Sequence, residues 1–171
     1  MPSTPRTYTG ALHIHTDRSD GGGTLDDVVT AARSNGIDFV VISDHNTRGY
    51  GIENMEGWHK DVLVLCAEEV MTPEGHLLAF ETREDIGAVA KKAEAIEQIK
   101  RQYGTAVSLH HQLAEQKHCQ TLGFGEADLV EIWSFMDDFL ASASPKHVLQ
   151  AAARPDKLLR GPARKLLWQW D

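Results

Sequence analysis

The chain has little cysteine, a deficit of basic residues and no long apolar run. Its two cysteines, Cys66 and Cys119, lack CxxC spacing, and Cys66, in the apolar run VLVLC, is predicted to be a buried small hydrophobe. No stretch has the apolar core of a signal peptide or the length needed to span a membrane. These absences lead us to expect a protein of the reducing cytoplasm.

The charge balance bears on the partners of the protein. With 17 Lys and Arg against 25 Asp and Glu, the formal net charge is −8 when histidine is neutral. Long nucleic acids are held by clustered basic side chains, so this balance argues against nucleic acid as a partner. It does not exclude a small phosphorylated substrate, because bound cations reverse the local charge. No membrane partner is expected, and the sequence leaves the oligomeric state open.

Length and hydrophobic patterning predict one soluble α/β domain over residues 1–171. Strands are expected at about 8–14, 37–43, 61–67, 76–80, 105–109 and 128–133. Helices are expected after the N-cap residue Thr24, over about 85–103, and from Ser144 and Gly161 onward. Residues 48–60 read as a loop with a short helix. This order of elements predicts a mostly parallel sheet.

Histidines and acids follow the predicted strands. His13 and His15 alternate along the first strand and should therefore point to the same face. Asp20 follows in a Gly-rich turn whose backbone can bend back toward them, and His45 comes just after the second strand. Two imidazoles on one face are able to grip a metal ion, so this stretch predicts a metal site.

The full set of candidate ligands exceeds what one tetrahedral ion needs. It comprises His13, His15, Asp20, His45, Glu69, His76 and His111. We expect it to hold two or three divalent ions, with carboxylates bridging them. Nitrogen and oxygen donors without thiolate suit Zn²⁺, Mn²⁺ or Fe²⁺. Such ions lower the pKa of bound water to about 7 and so provide a hydroxide nucleophile.

The motifs HIHTDRSDG, SDHNT, EEVMTPEGHLLAF and VEIWS, with the His111 region, occur in an order that resembles the PHP (polymerase and histidinol phosphatase) family. The resemblance implies a distorted (β/α)7 TIM-like barrel with a two- or three-metal centre that hydrolyses phosphoesters. His13 and His15 match the family's opening HxH pair, Asp20 its Ser-Asp-Gly turn, and His45 its Asp-His motif.

The later motifs complete the correspondence. Glu69 matches the bridging Glu of the family, His76 its Gly-His motif, and His111 the His that usually precedes Pro, a position held here by Gln112. The Asp-x-His motif that usually closes the metal set does not follow the Trp133 segment. The resemblance therefore implies a single PHP-like domain that is truncated at its C-terminus.

Several assignments stay open at this point. Glu68 is an alternative to Glu69, and His110 is an alternative to His111, which we favour. Asp44 either orients a ligand or is structural. A further set of residues has a predicted part in the reaction itself. Asp20, Glu69 and His45 are the predicted catalytic residues, and Arg18 and Arg48 are the candidates for contact with a substrate phosphate.

The predicted function is that of a metal-dependent phosphoesterase, which hydrolyses a small phosphorylated substrate by a metal-activated hydroxide. Two alternatives share the same motifs. One is a catalytically weak or inactive metal-binding domain, motivated by the missing Asp-x-His motif. The other is a nuclease or proofreading-type domain, which the acidic net charge argues against.

Overall fold

The computed structural model of the chain describes residues 6–47, 55–73, 75–82, 86–87, 92–103, 107–110, 127–131 and 134. Within these ranges the chain forms seven strands and two helices. In chain order they are β1 (Gly10–Ile14), α1 (Leu25–Ser34), β2 (Phe39–Ile42), β3 (Gly57–His59), β4 (Val62–Thr72), β5 (Gly75–Phe80), α2 (Lys92–Tyr103), β6 (Val107–His110) and β7 (Leu129–Glu131).

The seven strands form one mixed sheet in the order β1-β2-β4-β5-β6-β7, with β3 paired to β4. The pairs β1–β2, β2–β4 and β6–β7 are parallel, whereas β3–β4, β4–β5 and β5–β6 are antiparallel. The predicted α/β class is thus confirmed, but the prediction of a mostly parallel sheet is wrong for the described strands. A tight turn between Thr72 and Gly75 causes part of this, because parallel strands need a much longer crossover.

Strand β4 joins the two halves of the sheet. Its first half pairs with β2, from Leu63 to Cys66, and its second half pairs with β5, from Ala67 to Thr72. We expected this strand to end before the Glu68-Glu69 pair, and that expectation is wrong, since both acids lie inside the strand. The three-residue strand β3, which lies in the segment predicted as loop and short helix, was also missed.

Each half of the sheet is covered by one helix. Helix α1 begins at the predicted cap, where the Thr24 hydroxyl accepts a hydrogen bond from Asp27 N–H and Asp27 closes a capping box. Its buried residues Val29 and Ala32 pack in a core cluster with residues of β2 and β4. Helix α2 packs Ile99 and its neighbours against β4 and β5 in a second cluster. The sheet is therefore fixed from one side on both halves of β4.

Two smaller predictions concern solvent and membrane exposure. Cys66 is a free thiol buried in the first core cluster, as predicted. Among the residues that the structure describes, no helix has the length and apolar character needed to cross a membrane.

Candidate metal centre

The strand directions bring the polar side chains of distant segments to one edge of the sheet. Strands β1, β2 and β4 run in parallel and end at this edge, and β5, which is antiparallel to β4, begins there. Strands β6 and β7 also end there, since His110 is the register partner of both His76 and Glu131. Ligands that lie far apart in sequence therefore meet at one place.

The first histidine pair is positioned by a β-bulge. The register between β1 and β2 shifts between Ala11 and Ile14, and His13 adopts a left-handed conformation with φ of 59°. His15 lies beyond the end of the strand. The two rings nevertheless face the same site, with centroids 5.1 Å apart. The predicted convergence is observed, but simple strand alternation is not its cause.

A tight turn returns Asp20 to His15. Gly21 N–H donates to the Thr16 carbonyl at 2.9 Å, and a side chain at Gly21 would collide with the backbone of His15. Only glycine permits this close approach. Asp20 Oδ1 then lies 2.9 Å from His15 Nδ1, while 70% of the Asp20 side chain remains exposed. The Gly-rich turn therefore acts as the sequence predicted, and Asp20 forms the open side of the site.

His45 follows β2 and is held beside β4 by its neighbours. Glu69 N–H donates to the Asp44 carbonyl, and Asn46 N–H donates to the Glu69 carbonyl. Asn46 adopts a left-handed conformation with φ of 50°. His45 Nδ1 lies 3.2 Å from Glu69 Oε2, but this buried nitrogen makes no hydrogen bond among the described residues. Burial lowers the pKa of His45 below its ordinary value, although Glu69 opposes this effect. A neutral, unbonded imidazole nitrogen is a suitable metal donor.

Glu69 is the centre of the cluster. Its Oε2 atom lies 3.1 Å from His13 Nε2 and 3.0 Å from His15 Nε2, and its Oε1 atom lies 2.7 Å from His76 Nδ1. His76 pairs with Met71 in the β4–β5 register, so it sits diagonally opposite Glu69 on the same face. Only 2% of the Glu69 side chain is exposed, which makes it the floor of the site.

Three of the imidazoles, those of His13, His15 and His45, have a carboxylate oxygen within 3.5 Å of each ring nitrogen. A neutral imidazole carries a single N–H, so one nitrogen of each ring would face an acceptor with a lone pair. Such a contact is stable only if a cation, either a proton or a metal ion, lies between the two atoms. The donor set therefore fits divalent cations.

The electrostatics of the metal-free site point the same way. Burial alone would lower the pKa of His13, but hydrogen bonds to Glu131 and Glu69 outweigh burial and raise the pKa to about 10. Burial would raise the pKa of Glu69, but hydrogen bonds from His13, His15 and His76 outweigh it and hold that pKa far below its ordinary range. The metal-free site thus favours a proton between His13 and Glu69, a position that a metal ion could take.

The described residues offer three groups of donor atoms in which all atoms lie within 4.8 Å of one another. The groups are His13, His15 and Glu69; His15, Asp20 and His45; and His45, Glu69 and His76. Each pair of groups shares one residue, which is His15, His45 or Glu69, so the candidate ion positions are adjacent. Of these three, only the Glu69 carboxylate is able to bridge two ions, because a neutral imidazole has a single lone pair to donate. Six of the seven predicted ligands are thereby brought together, and their binding of metal stays a prediction.

The remaining predicted site residues fall into two classes. His111 and Arg48 lie outside the described residues. Arg18 is exposed on the same loop as Asp20, and its contact with a substrate phosphate stays a prediction. His110 is the last residue of β6, at the edge of the sheet where the candidate ligands meet, and it is the register partner of His76.

Two neighbouring acids have structural contacts. Glu68, the alternative to Glu69, is fully buried away from the histidines and accepts hydrogen bonds from Ile86 N–H and Gly87 N–H, both at 2.8 Å. Asp44 accepts hydrogen bonds from Thr16 N–H and Oγ1–H, both at 2.7 Å, and from Ser19 Oγ–H at 2.6 Å. Asp44 therefore anchors the loop that carries Asp20; among the described contacts, it does not bond the ring of His45.

Glu131 belongs to the cluster although the sequence patterns predict no role for it. This residue ends β7, and its Oε1 atom lies 2.9 Å from His13 Nδ1 across 118 positions of sequence. The available signal was its position: it is an acid at the end of a short apolar strand, inside the motif VEIWS, just as the other candidates follow strands.

Comparisons with known proteins identify relatives of the chain. Residues 11–157 match the sequence pattern of the PHP domain. An uncharacterized protein of Methanocaldococcus jannaschii, MJ1587, is 34% identical over 112 residues, which cover 58% of this chain and 65% of that protein. The chain therefore matches less than two thirds of the length of this relative.

A solved structure shares the fold. The crystal structure of an Endonuclease Q complex with a 27-mer duplex substrate, with an abasic lesion at the active site, matches with a TM-score of 0.55 and 16% identity. The match covers 81% of this chain and 45% of that chain. A protein of this fold thus holds a nucleic acid duplex at its active site. Our expectation that the acidic net charge argues against nucleic acid is therefore wrong, because overall charge does not describe the surface around one site.

Proposed function

The chain belongs to the PHP domain family, and we propose that it is a metal-dependent phosphoesterase whose active site is the cluster around Glu69. The observation that carries the proposal is that carboxylate oxygens face both ring nitrogens of His13, His15 and His45. A proton or a metal ion between each nitrogen and its facing carboxylate would stabilise this arrangement. Hydrolases of this family depend on such metal ions.

The arrangement of the side chains supports a division of roles. When bound, two or three divalent ions would supply Lewis acidity and an activated water for attack on phosphorus. Buried Glu69 would hold neighbouring ions from the floor of the site, since its two oxygens face different histidines. Asp20, which is largely exposed, would lie on the side from which substrate enters. Arg18, on the same loop, would contact the phosphate.

The same cluster supports a finer view of the architecture. His13 on β1 contacts Glu131 on β7, although these strands lie at opposite ends of the strand order. A flat sheet would hold them far apart, because neighbouring strands are separated by about 4.8 Å. We therefore propose that the sheet curls into the distorted barrel that the family resemblance implies.

Two substrate classes follow from different observations. The first is a small phosphomonoester, for which the compact cluster of histidines and acids is sufficient. The second is the phosphodiester backbone of a nucleic acid, and this class is favoured by the fold shared with the Endonuclease Q complex. Both use the same metal centre, so the classes differ in substrate and not in the ligand set.

Metal analysis followed by parallel assays would test the proposal. The purified chain, loaded with Mn²⁺ or Zn²⁺, would be offered p-nitrophenyl phosphate, bis-p-nitrophenyl phosphate and a duplex with one abasic site. Turnover of the first alone supports a phosphomonoesterase, and cleavage of the duplex supports a nuclease. Bound metal without turnover of any substrate would instead support a metal-binding domain without activity and would overturn the proposed phosphoesterase.

Two variants link activity to the cluster. Glu69→Gln removes the charge with little change of shape, and His13→Asn removes the imidazole while keeping a residue type that tolerates positive φ. Both should reduce metal content and turnover to background. A matched control is His59→Asn, since His59 lies on β3 and bonds the Met55 carbonyl away from the cluster. Full activity in either cluster variant would refute the assignment.

A further inference from the structure

Glu131 contacts the edge of the His13 ring that lies away from Glu69. Its Oε1 atom lies 2.9 Å from His13 Nδ1, while the other ring nitrogen, Nε2, lies 3.1 Å from Glu69 Oε2. Both partners of the Glu131 contact are largely buried, with 9% of the His13 side chain and 14% of the Glu131 side chain exposed. Water therefore competes weakly for this hydrogen bond.

Glu131 differs from the other acids of the cluster. Asp20 and Glu69 belong to the groups whose donor atoms converge, but Glu131 belongs to none of the three groups found among the described residues. Its described contact is with the nitrogen that points away from Glu69. It is thus placed to act on the metal centre through His13.

The two carboxylates beside His13 determine which of its ring nitrogens carries the proton. An ionised carboxylate is an acceptor only, so Glu131 requires that His13 Nδ1 carry the proton. Once Nδ1 carries it in the neutral ring, Nε2 is left with a lone pair directed at the centre of the cluster. A partner that fixes the tautomer and the orientation of a ligating histidine typically raises metal affinity by a factor of about 10 to 100.

We infer that Glu131 is a positioning residue, which holds His13 in the Nδ1–H tautomer and so presents Nε2 as a metal donor. The inference rests on the proposed metal centre and goes beyond its ligand set. The contact also connects β1 and β7, the first and last strands of the strand order, through the candidate ligand His13 and its partner Glu131. Correct placement of β7 thereby becomes a condition for tight binding at His13.

Zinc binding measured by calorimetry would test the inference. Glu131→Leu removes the acceptor and offers no polar atom to Nδ1, so nothing on β7 fixes the Nδ1–H tautomer. We expect Zn²⁺ to bind this variant about 10 to 100 times more weakly than the unchanged chain. Glu131→Asp, which keeps the carboxylate, should recover part of the loss. Glu97→Gln, an exposed change on α2, serves as the control and should leave the affinity unchanged.

A spectroscopic measurement on the unchanged chain avoids any dependence on variant folding. In the Zn²⁺-loaded protein, a long-range ¹H–¹⁵N spectrum of the imidazoles should show the His13 proton on Nδ1, with the signal assigned by its loss in His13→Asn. A proton on Nε2, or equal Zn²⁺ affinity in a folded Glu131→Leu protein, would overturn the inference and leave the proposed function standing. Absence of binding of Zn²⁺, Mn²⁺ and Fe²⁺ by the unchanged chain would overturn both.

Discussion

Asp44 offers the sharpest test of how the loop that carries Asp20 is held in place. Its carboxylate is 1% exposed and accepts three hydrogen bonds, two from Thr16 and one from Ser19. Thr16 is also 1% exposed, so in the unchanged chain its N–H and hydroxyl are shielded from bulk water. Ser19 is half-buried, and its hydroxyl can bond water in the variant. Asp44→Ala therefore leaves two buried donors unsatisfied.

The expected cost follows from these two donors. Each buried donor that loses its partner costs about 1–3 kcal/mol, so Asp44→Ala should lower the free energy of unfolding by roughly 2–6 kcal/mol. Most small domains have about 5–15 kcal/mol of stability, so a cost below about 5 kcal/mol leaves the variant folded. Because the same loop carries Asp20 and His15, the variant should also bind Zn²⁺ more weakly than the unchanged chain.

Urea unfolding in the presence of a chelator measures the cost without any contribution from bound metal. The control is Asp38→Ala, since Asp38 accepts a single hydrogen bond from Thr9 N–H at an exposed position. Its loss should be about 1 kcal/mol. If Asp44→Ala cost no more than Asp38→Ala, the view that burial makes the Asp44 contacts strong would be wrong.

Three further predictions concern the core, the first helix and pH. Leu77→Ala, at a fully buried residue of β5, should lower the free energy of unfolding by about 2–5 kcal/mol, whereas Leu12→Ala, at a residue that is 59% exposed, should change it by less than about 0.5 kcal/mol. Thr24→Ala, which removes the N-cap of α1, should cost about 1 kcal/mol in the same urea assay. In the metal-free protein the pKa of His13 is raised from 6.5 to about 10. Its proton therefore stabilises the fold fully below pH 6.5, and this contribution is lost as the pH rises to about 10. Unfolding at a series of pH values should show this loss in the unchanged chain and not in His13→Asn, and equal slopes in the two proteins would contradict the assignment.

Local signals explain what could be predicted from the sequence. The start of α1 depends on Thr24 and Asp27, which lie three residues apart, and the cap was predicted correctly. The gathering of His13, His15 and His45 was also expected, because strand ends that share a direction meet at one edge. These predictions needed only short-range sequence patterns and the rule that the carboxyl ends of neighbouring parallel strands lie at the same edge of a sheet.

Long-range contacts explain what was missed. Glu131 meets His13 only because the sheet brings its last strand in the order near its first, and no short pattern encodes that contact. The predicted strand ends before Glu68, whereas β4 continues through both acids, and adjacent acids are rare in a buried strand. Their partners, backbone amides for Glu68 and imidazoles for Glu69, come from other segments and compensate for the burial.

The adjacent acids of β4 have a consequence for how this strand tolerates change. Glu68 and Glu69 point to opposite faces of the sheet, one toward backbone amides and the other toward the histidines. Inserting or deleting one residue within the strand would exchange the two faces. Both carboxylates would then be buried beside the wrong neighbours, so a single error of length would remove the anchor of one loop and the floor of the candidate metal centre together. Natural variants of this strand should therefore differ in side chains far more readily than in length.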